Sequence, residues 1–270
     1  MNVEEIVKNF LEKVSQSGDG IGYGARVKSG LPLINFVLDN MVGEVKIINQ
    51  QAAMPAKGKP LVHITAHGSL LGPLPMMAAL GRMYIDEGLG DEVLGFYTHL
   101  TISFIPGLNE AFVKMGAMTG VIGIESLVRL LESGRIRITG TALEGVNCLF
   151  TWKDQVAPFR TGGMIAAAIM SGASICLLAH EGTEPWSMEI KLPLERIFPQ
   201  LGNITGLNIP IGPWKKIERL TICCKRYRPH VTRDAFMKMD AGLRRDAIYR
   251  EMKIIRERLN KMMSELRRTS

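Results

Sequence analysis

Cysteine is scarce in this sequence and poorly spaced for metal or redox work. Its four cysteines, Cys148, Cys176, Cys223 and Cys224, form no CxxC pair, and three of them fall in apolar segments that read as buried strands. They are expected to be reduced, packed thiols of a cytoplasmic protein. Long apolar runs are also missing. The longest, such as Leu61–Ala66 and Ala173–Ala179, fall far short of the roughly 20 residues that cross a bilayer. No export signal is expected either, because Met1–Ser17 carries Glu4 and Glu5 where such a signal is positively charged and then purely apolar. No G-x-S-x-G elbow occurs anywhere, which argues against nucleophilic-serine chemistry.

What is present is enough for a substantial core. The chain has 270 residues, 46% of them hydrophobic, which suits one large α/β domain or two small ones and is no composition for disorder. Its net charge of +7 is unevenly placed: from Lys225 to Ser270 there are 14 basic and 6 acidic residues, a net +8 that leaves −1 for everything before. Such a segment is either a solvated face or a surface for an anionic partner. Nucleic acid is not the expected partner, because aromatic residues there are limited to Tyr227, Phe236 and Tyr249 and no recognition motif is present.

The periodicity divides the chain into three parts. Val3, Ile6, Val7, Phe10, Leu11 and Val14 recur at helical spacing, which predicts an amphipathic helix ended by a Gly-rich linker, together residues 1–24. Short apolar strands then alternate with helical stretches over residues 25–230, the pattern of an α/β domain with a mixed, largely parallel central sheet flanked by helices. Strands are expected at Val45–Asn49, Leu61–Ala66, Leu100–Ile105, Ile136–Thr139, Ile175–Ala179 and Leu220–Cys224, and helices at Pro73–Glu87, Gly107–Met115, Gly123–Ser133 and Thr161–Ser171. Residues 231–270 read as a long basic C-terminal helix. There Ile248, Met252, Ile255, Leu259, Met262 and Leu266 make a heptad-like seam, suited to packing on the domain, pairing with a second copy or lying on lipid.

One histidine stands out among five. His67 lies in Thr65-Ala66-His67-Gly68-Ser69 at the end of a predicted strand, with Pro73 placed to begin a helix, and α/β proteins build their sites at such strand ends. His63 lies four residues earlier. On a strand the two stand roughly 13 Å apart, too far to share an ion, so no metal is expected. An imidazole there could take a proton from an alcohol, and the amides of Gly68 and Ser69 could stabilise an oxyanion on a thioester carbonyl.

The order of later segments resembles the lysophospholipid and glycerolipid acyltransferase superfamily, across roughly residues 45 to 228. That family carries a His-x4-Asp block after a strand, a Pro-Glu-Gly-like block at a later strand end, a basic residue before a Gly-rich helix start, and a strand ending in a Gly-containing turn. The corresponding segments here are Ala66-His67-Gly68-Ser69-Leu70-Leu71-Gly72, Ala142-Leu143-Glu144-Gly145-Val146-Asn147, Phe159-Arg160-Thr161-Gly162-Gly163 and Leu178-Ala179-His180-Glu181-Gly182-Thr183-Glu184. Ala66-His67-Gly68, Phe104-Ile105-Pro106-Gly107 and the His180–Glu184 turn look most like the diacylglycerol acyltransferase type-two branch. Three positions depart from the pattern: Gly72 replaces the Asp, Thr65 the first His of a His-Pro-His-Gly block, and Leu143 the Pro before Glu-Gly.

The resemblance implies an O-acyltransferase that moves a fatty-acyl group from acyl-CoA or acyl-carrier protein to a hydroxyl of a lipid acceptor, with no cofactor beyond that co-substrate. It implies His67 and Glu144 as catalytic residues, Gly68 and Ser69 as oxyanion support, and Gly145, Arg160, Glu181 and Gly182 as substrate contacts. The arginine would meet a phosphate of acceptor or donor. With Gly72 in place of the carboxylate, Glu144, Glu181 and Glu184 are the candidates to orient His67. A lipid substrate implies peripheral contact with an anionic membrane from the cytoplasmic side, through the basic tail or the N-terminal helix. The tail is equally open to a homodimer role. The same fold would also accommodate a thioesterase, an esterase or a silent acyl-binding protein.

Overall fold

A computed structural model describes residues 26–68, 71–98, 117–119, 122–191, 203–210 and 215–269. The N-terminal amphipathic helix, the strand at Leu100–Ile105, the helix at Gly107–Met115 and Ser69 lie outside them.

Helix α1 (Leu31–Met41) runs directly into strand β1 (Val42–Ile48). Strand β2 (Leu61–Thr65) is buried at every position, as a strand covered on both faces must be. Helix α2 (Pro73–Asp86) begins on its proline, whose missing N–H costs nothing in a first turn. Strands β3 (Leu94–Thr98) and β4 (Ala117–Thr119), helix α3 (Ile124–Glu132), and strands β5 (Ile138–Ala142) and β6 (Phe150–Trp152) follow. Helix α4 (Gly163–Ser171) then leads to β7 (Ser174–Glu181), β8 (Ser187–Lys191), β9 (Ile204–Pro210) and β10 (Ile217–Tyr227). Helices α5 (Arg233–Lys238) and α6 (Ala241–Thr269) close the order.

Seven strands form one sheet in the order β1-β10-β7-β2-β5-β3-β4. Five of its six pairings are parallel, and only β10 against β7 is antiparallel. Strands β6, β9 and β8 make a small antiparallel sheet. This is the mixed, largely parallel sheet flanked by helices that the alternating pattern predicts.

The period-two alternation of the strands divides the core between the two faces of the sheet. Leu61, Cys176, Leu178, Leu220 and Ile222 pack with residues of α1 and α2, among them Ile34, Val37, Met76 and Leu80. Val62, Ile64, Ile175, Leu177 and Ala179 pack with Leu127 and Leu131 of α3, Ile165 and Ile169 of α4, and the seam of α6. Ile255, Leu259, Met262 and Leu266 of that seam are at most 3% exposed. These four positions of the heptad-like pattern therefore pack on the domain within the chain.

One strand was not expected and another is displaced by two residues. β3 lies at Leu94–Thr98, where Gly95 interrupts the apolar run and weakens the strand signal. β5 runs from Ile138 to Ala142 rather than from Ile136 to Thr139. It contains Gly140, where a Cβ would stand 2.7 Å from that of His63, so the smallest residue is needed to let the neighbouring strand approach.

Candidate active site

Strands β2, β5 and β7 run parallel and in register, Thr65 pairing with Ala142 on one side and with Leu178 on the other. Parallel alignment brings the segments that follow each strand to one edge of the sheet. The turn Ala66-His67-Gly68, the turn Leu143-Glu144-Gly145 and the end of β7 at His180-Glu181-Gly182 therefore meet, although they are far apart in sequence. Ala66 N–H donates to Leu178 O at 3.0 Å, which continues the β2–β7 ladder into the turn.

Glu144 ties this edge together. Its side chain is buried, and Oε1 accepts the backbone N–H of His67 at 2.6 Å while Oε2 accepts that of Ala157 at 2.9 Å. Burial raises its pKa to about 7, against the two N–H donors and the charge of Arg256, which favour the carboxylate. A solvated turn carboxylate is thus excluded. Position 72, the residue before α2, is a glycine. Glu144 holds the backbone of His67 by a hydrogen bond to the amide.

His67 itself is half-buried. The backbone N–H of Arg160 donates to Leu143 O at 2.9 Å, and a Cβ on Gly145 would lie 3.6 Å from Arg160 Cδ, so the arginine side chain passes over Gly145. Arg160 is exposed and forms no ion pair with any described residue.

The turn after β7 is built by Gly182. Its φ is +103°, and a Cβ there would stand 2.0 Å from Arg219 O of β10. Its N–H donates to Glu184 Oε2 at 2.9 Å, a bond that shapes the turn. Glu181 is the half-buried last residue of β7, level with Thr221 of β10.

The sequence reading named His180 only as part of a turn motif. Its ring lies under Gly68, whose φ is +61°, so that a Cβ on the glycine would come within 2.9 Å of His180 Cε1. The ring is buried and neither nitrogen has a hydrogen-bond partner among the described residues. Burial lowers its pKa to about 4, although the nearby backbone of His67 and Ala66 favours the charged form. Strand alternation was the available signal: a histidine two residues beyond Leu178 shares its face of β7 and stands at the end where the strand gives way to the turn.

His63 belongs to the core. The Tyr84 hydroxyl donates to Ala53 O at 2.9 Å, so His63 Nε2–H donates to the Tyr84 oxygen at 2.5 Å, with Phe96 stacked on the imidazole. Burial lowers its pKa to about 3. Among the described residues no group of three His, Cys, Asp or Glu side chains could hold a metal ion. A cleft of about 730 Å³ lies at the opposite edge of the sheet, lined by Lys59, Arg137 and Arg233 with Glu92 and Glu132. Arg137 pairs with Glu92 and Arg233 with Glu132, so most of its charge is internally matched.

No family model and no curated protein matches this sequence. Among solved structures the chain is similar to the 1-acyl-sn-glycerophosphate (LPA) acyltransferase PlsC from Thermotoga maritima. The two are 14% identical, with a TM-score of 0.53, over 89% of this chain and 79% of that one. The likeness is one of fold: a largely parallel sheet flanked by helices, carried over nearly the whole chain.

Proposed function

We propose that this protein is an O-acyltransferase that moves a fatty-acyl group from an acyl thioester to a hydroxyl of a lipid acceptor, with His67 as general base. The observation that carries the reading is the bond from His67 N–H to Glu144 Oε1, which joins two blocks chosen from the sequence for the same chemistry. The shared fold with a 1-acyl-sn-glycerophosphate acyltransferase supports it.

In this reading the neutral His67 imidazole removes the proton of the acceptor hydroxyl as its oxygen attacks the thioester carbonyl. The tetrahedral oxyanion is met by the backbone N–H of Gly68, with Ser69 as the further support that the resemblance implies. Collapse expels the thiolate, which takes the proton back from the imidazolium. Glu144 fixes the turn, and Arg160, exposed beside Gly145, meets a phosphate of acceptor or donor. Glu181, at the end of β7, and Gly182 after it are the further substrate contacts of this reading. In this reading the lipid is approached from the bilayer surface; no described helix is long and apolar enough to cross a membrane.

The test is acyl transfer by purified protein from long-chain acyl-CoA and acyl-carrier protein to lysophosphatidate, monoacylglycerol and diacylglycerol, with products identified by mass spectrometry. Wild type is expected to form a new ester and His67→Ala none. Release of free acid without an acceptor would indicate a thioesterase. The glycine at position 72 favours one other reading, a silent acyl-binding protein, which predicts saturable thioester binding and no product from either variant.

A further inference from the structure

We infer that His180 is a positioning residue for His67, and that its ring nitrogens are what the reaction requires of it. The inference rests on the acyltransferase reading of the same site. Three observations converge. The ring is 1% exposed and neither nitrogen is paired among the described residues. It fills the space beneath Gly68, with Cε1 2.9 Å and Nε2 3.4 Å from where a Cβ would stand. The nearby backbone of Ala66 and His67 also favours the charged ring.

A buried imidazole with unpaired nitrogens is destabilising, and a phenyl ring would fill the same space without that penalty. The nitrogens therefore do something other than packing. Position 72 offers no carboxylate, and both oxygens of Glu144 are committed to backbone N–H groups. Thr65 Oγ1 donates to Ala66 O at 2.9 Å, Thr183 Oγ1 lies 3.6 Å from where a Gly68 Cβ would stand, and His180 is the ionisable side chain packed directly beneath Gly68. Catalytic hydrogen bonds are often loose without substrate and tighten in the complex. We assign to His180 one such bond, from a ring N–H to the carbonyl side of the Ala66–His67 turn, which sets the direction in which His67 leaves β2. His180 touches no reacting atom and acts through His67.

The experiment compares wild type, His180→Phe and His180→Gln in acyl transfer. His180→Phe keeps the shape and removes the nitrogens, while His180→Gln restores an N–H donor. With Phe, kcat is expected to fall on the order of tenfold to a hundredfold, the effect of a misdirected catalytic group. KM for the thioester and the melting temperature should hold, and Gln should recover part of kcat. A His180→Phe enzyme as fast as wild type, or one in which kcat, KM and melting fall together with no recovery by Gln, would overturn the inference. If His180→Phe does not fold, His180→Leu beside His180→Gln makes the same comparison. If wild type transfers no acyl group, the functional reading fails and the inference is decided by NMR of the imidazole nitrogens. A changed tautomer balance of His67 in His180→Phe supports it, and unchanged His67 resonances overturn it.

Discussion

The carboxylate of Glu144 and the backbone N–H of His67 lie 77 residues apart in sequence and 2.6 Å apart in space. The second oxygen of the same carboxylate holds Ala157 N–H at 2.9 Å. Glu144→Ala leaves both donors unpaired in a buried site, a cost of about 1–3 kcal/mol each. The variant should melt well below wild type, and acyl transfer should fall further than the loss of folded protein explains. Denaturation midpoints together with turnover per folded molecule check both parts. Unchanged stability would mean the carboxylate is not the clamp described.

Two opposing pH dependences are built into this edge of the sheet. Glu144 has a folded pKa of about 7 against an ordinary 4.5. The folded state thus favours its protonated form, and this contribution to stability is full below 4.5 and lost as pH rises through about 7. His180 and His63 are lowered from 6.5 to about 4 and about 3. Their contribution is full above 6.5 and lost as pH falls through those folded values. Chemical denaturation from pH 4 to 8 should therefore show Glu144→Gln losing less stability than wild type on the alkaline side, and His180→Phe losing less on the acid side. Curves parallel to wild type in both variants would contradict these assignments.

Gly68 and Gly182 both have positive φ but should fail differently when changed to alanine. At Gly182 the new Cβ meets the backbone oxygen of Arg219 at 2.0 Å, and β7 must move relative to β10. That overpacking, with the strained φ, should cost about 1–3 kcal/mol or more. At Gly68 the nearest atom belongs to the His180 side chain, at 2.9 Å, and a ring can tilt where a strand cannot. Gly68→Ala should keep more of its stability and lose more of its activity. Melting curves and turnover of the two variants test the ordering.

The α6 seam gives a prediction about assembly. Leu259 is fully buried against the chain's own sheet and helices, so Leu259→Ala should cost about 2–5 kcal/mol. The loss should not depend on protein concentration. A melting temperature that climbs with concentration in wild type and not in the variant would place the seam between two copies instead.

Much of the central sheet was legible because its strands are buried on both faces and read as plain apolar runs. β7 and β10 contain the predicted segments, β2 ends one residue before its predicted end, and α2, α3 and α4 begin within two residues of expectation. β3 was missed because Gly95 interrupts it, and the small sheet of β6, β8 and β9 because its strands are short and half-exposed. At the site, His67 and Glu144 could be chosen from strand ends and motif order. The bond between them could not, because it depends on three strands in register. His180 was legible only as part of a turn motif for a related reason: the space its ring fills is left by the absent side chain of Gly68, in the turn after β2.

The neighbours of β1 have a consequence for how the chain is made. β1 begins at Val42, yet the strand it pairs with is β10, which starts at Ile217, and β10 also forms the antiparallel border of β7. Until the ribosome has delivered that segment, β1 lacks its described partner and β7 presents an open edge, so the sheet closes only after β10 has emerged. Contacts of such long range form slowly, and exposed strand edges invite association with other chains. Nascent chains stalled before Ile217 are thus the species that most need a chaperone's protection.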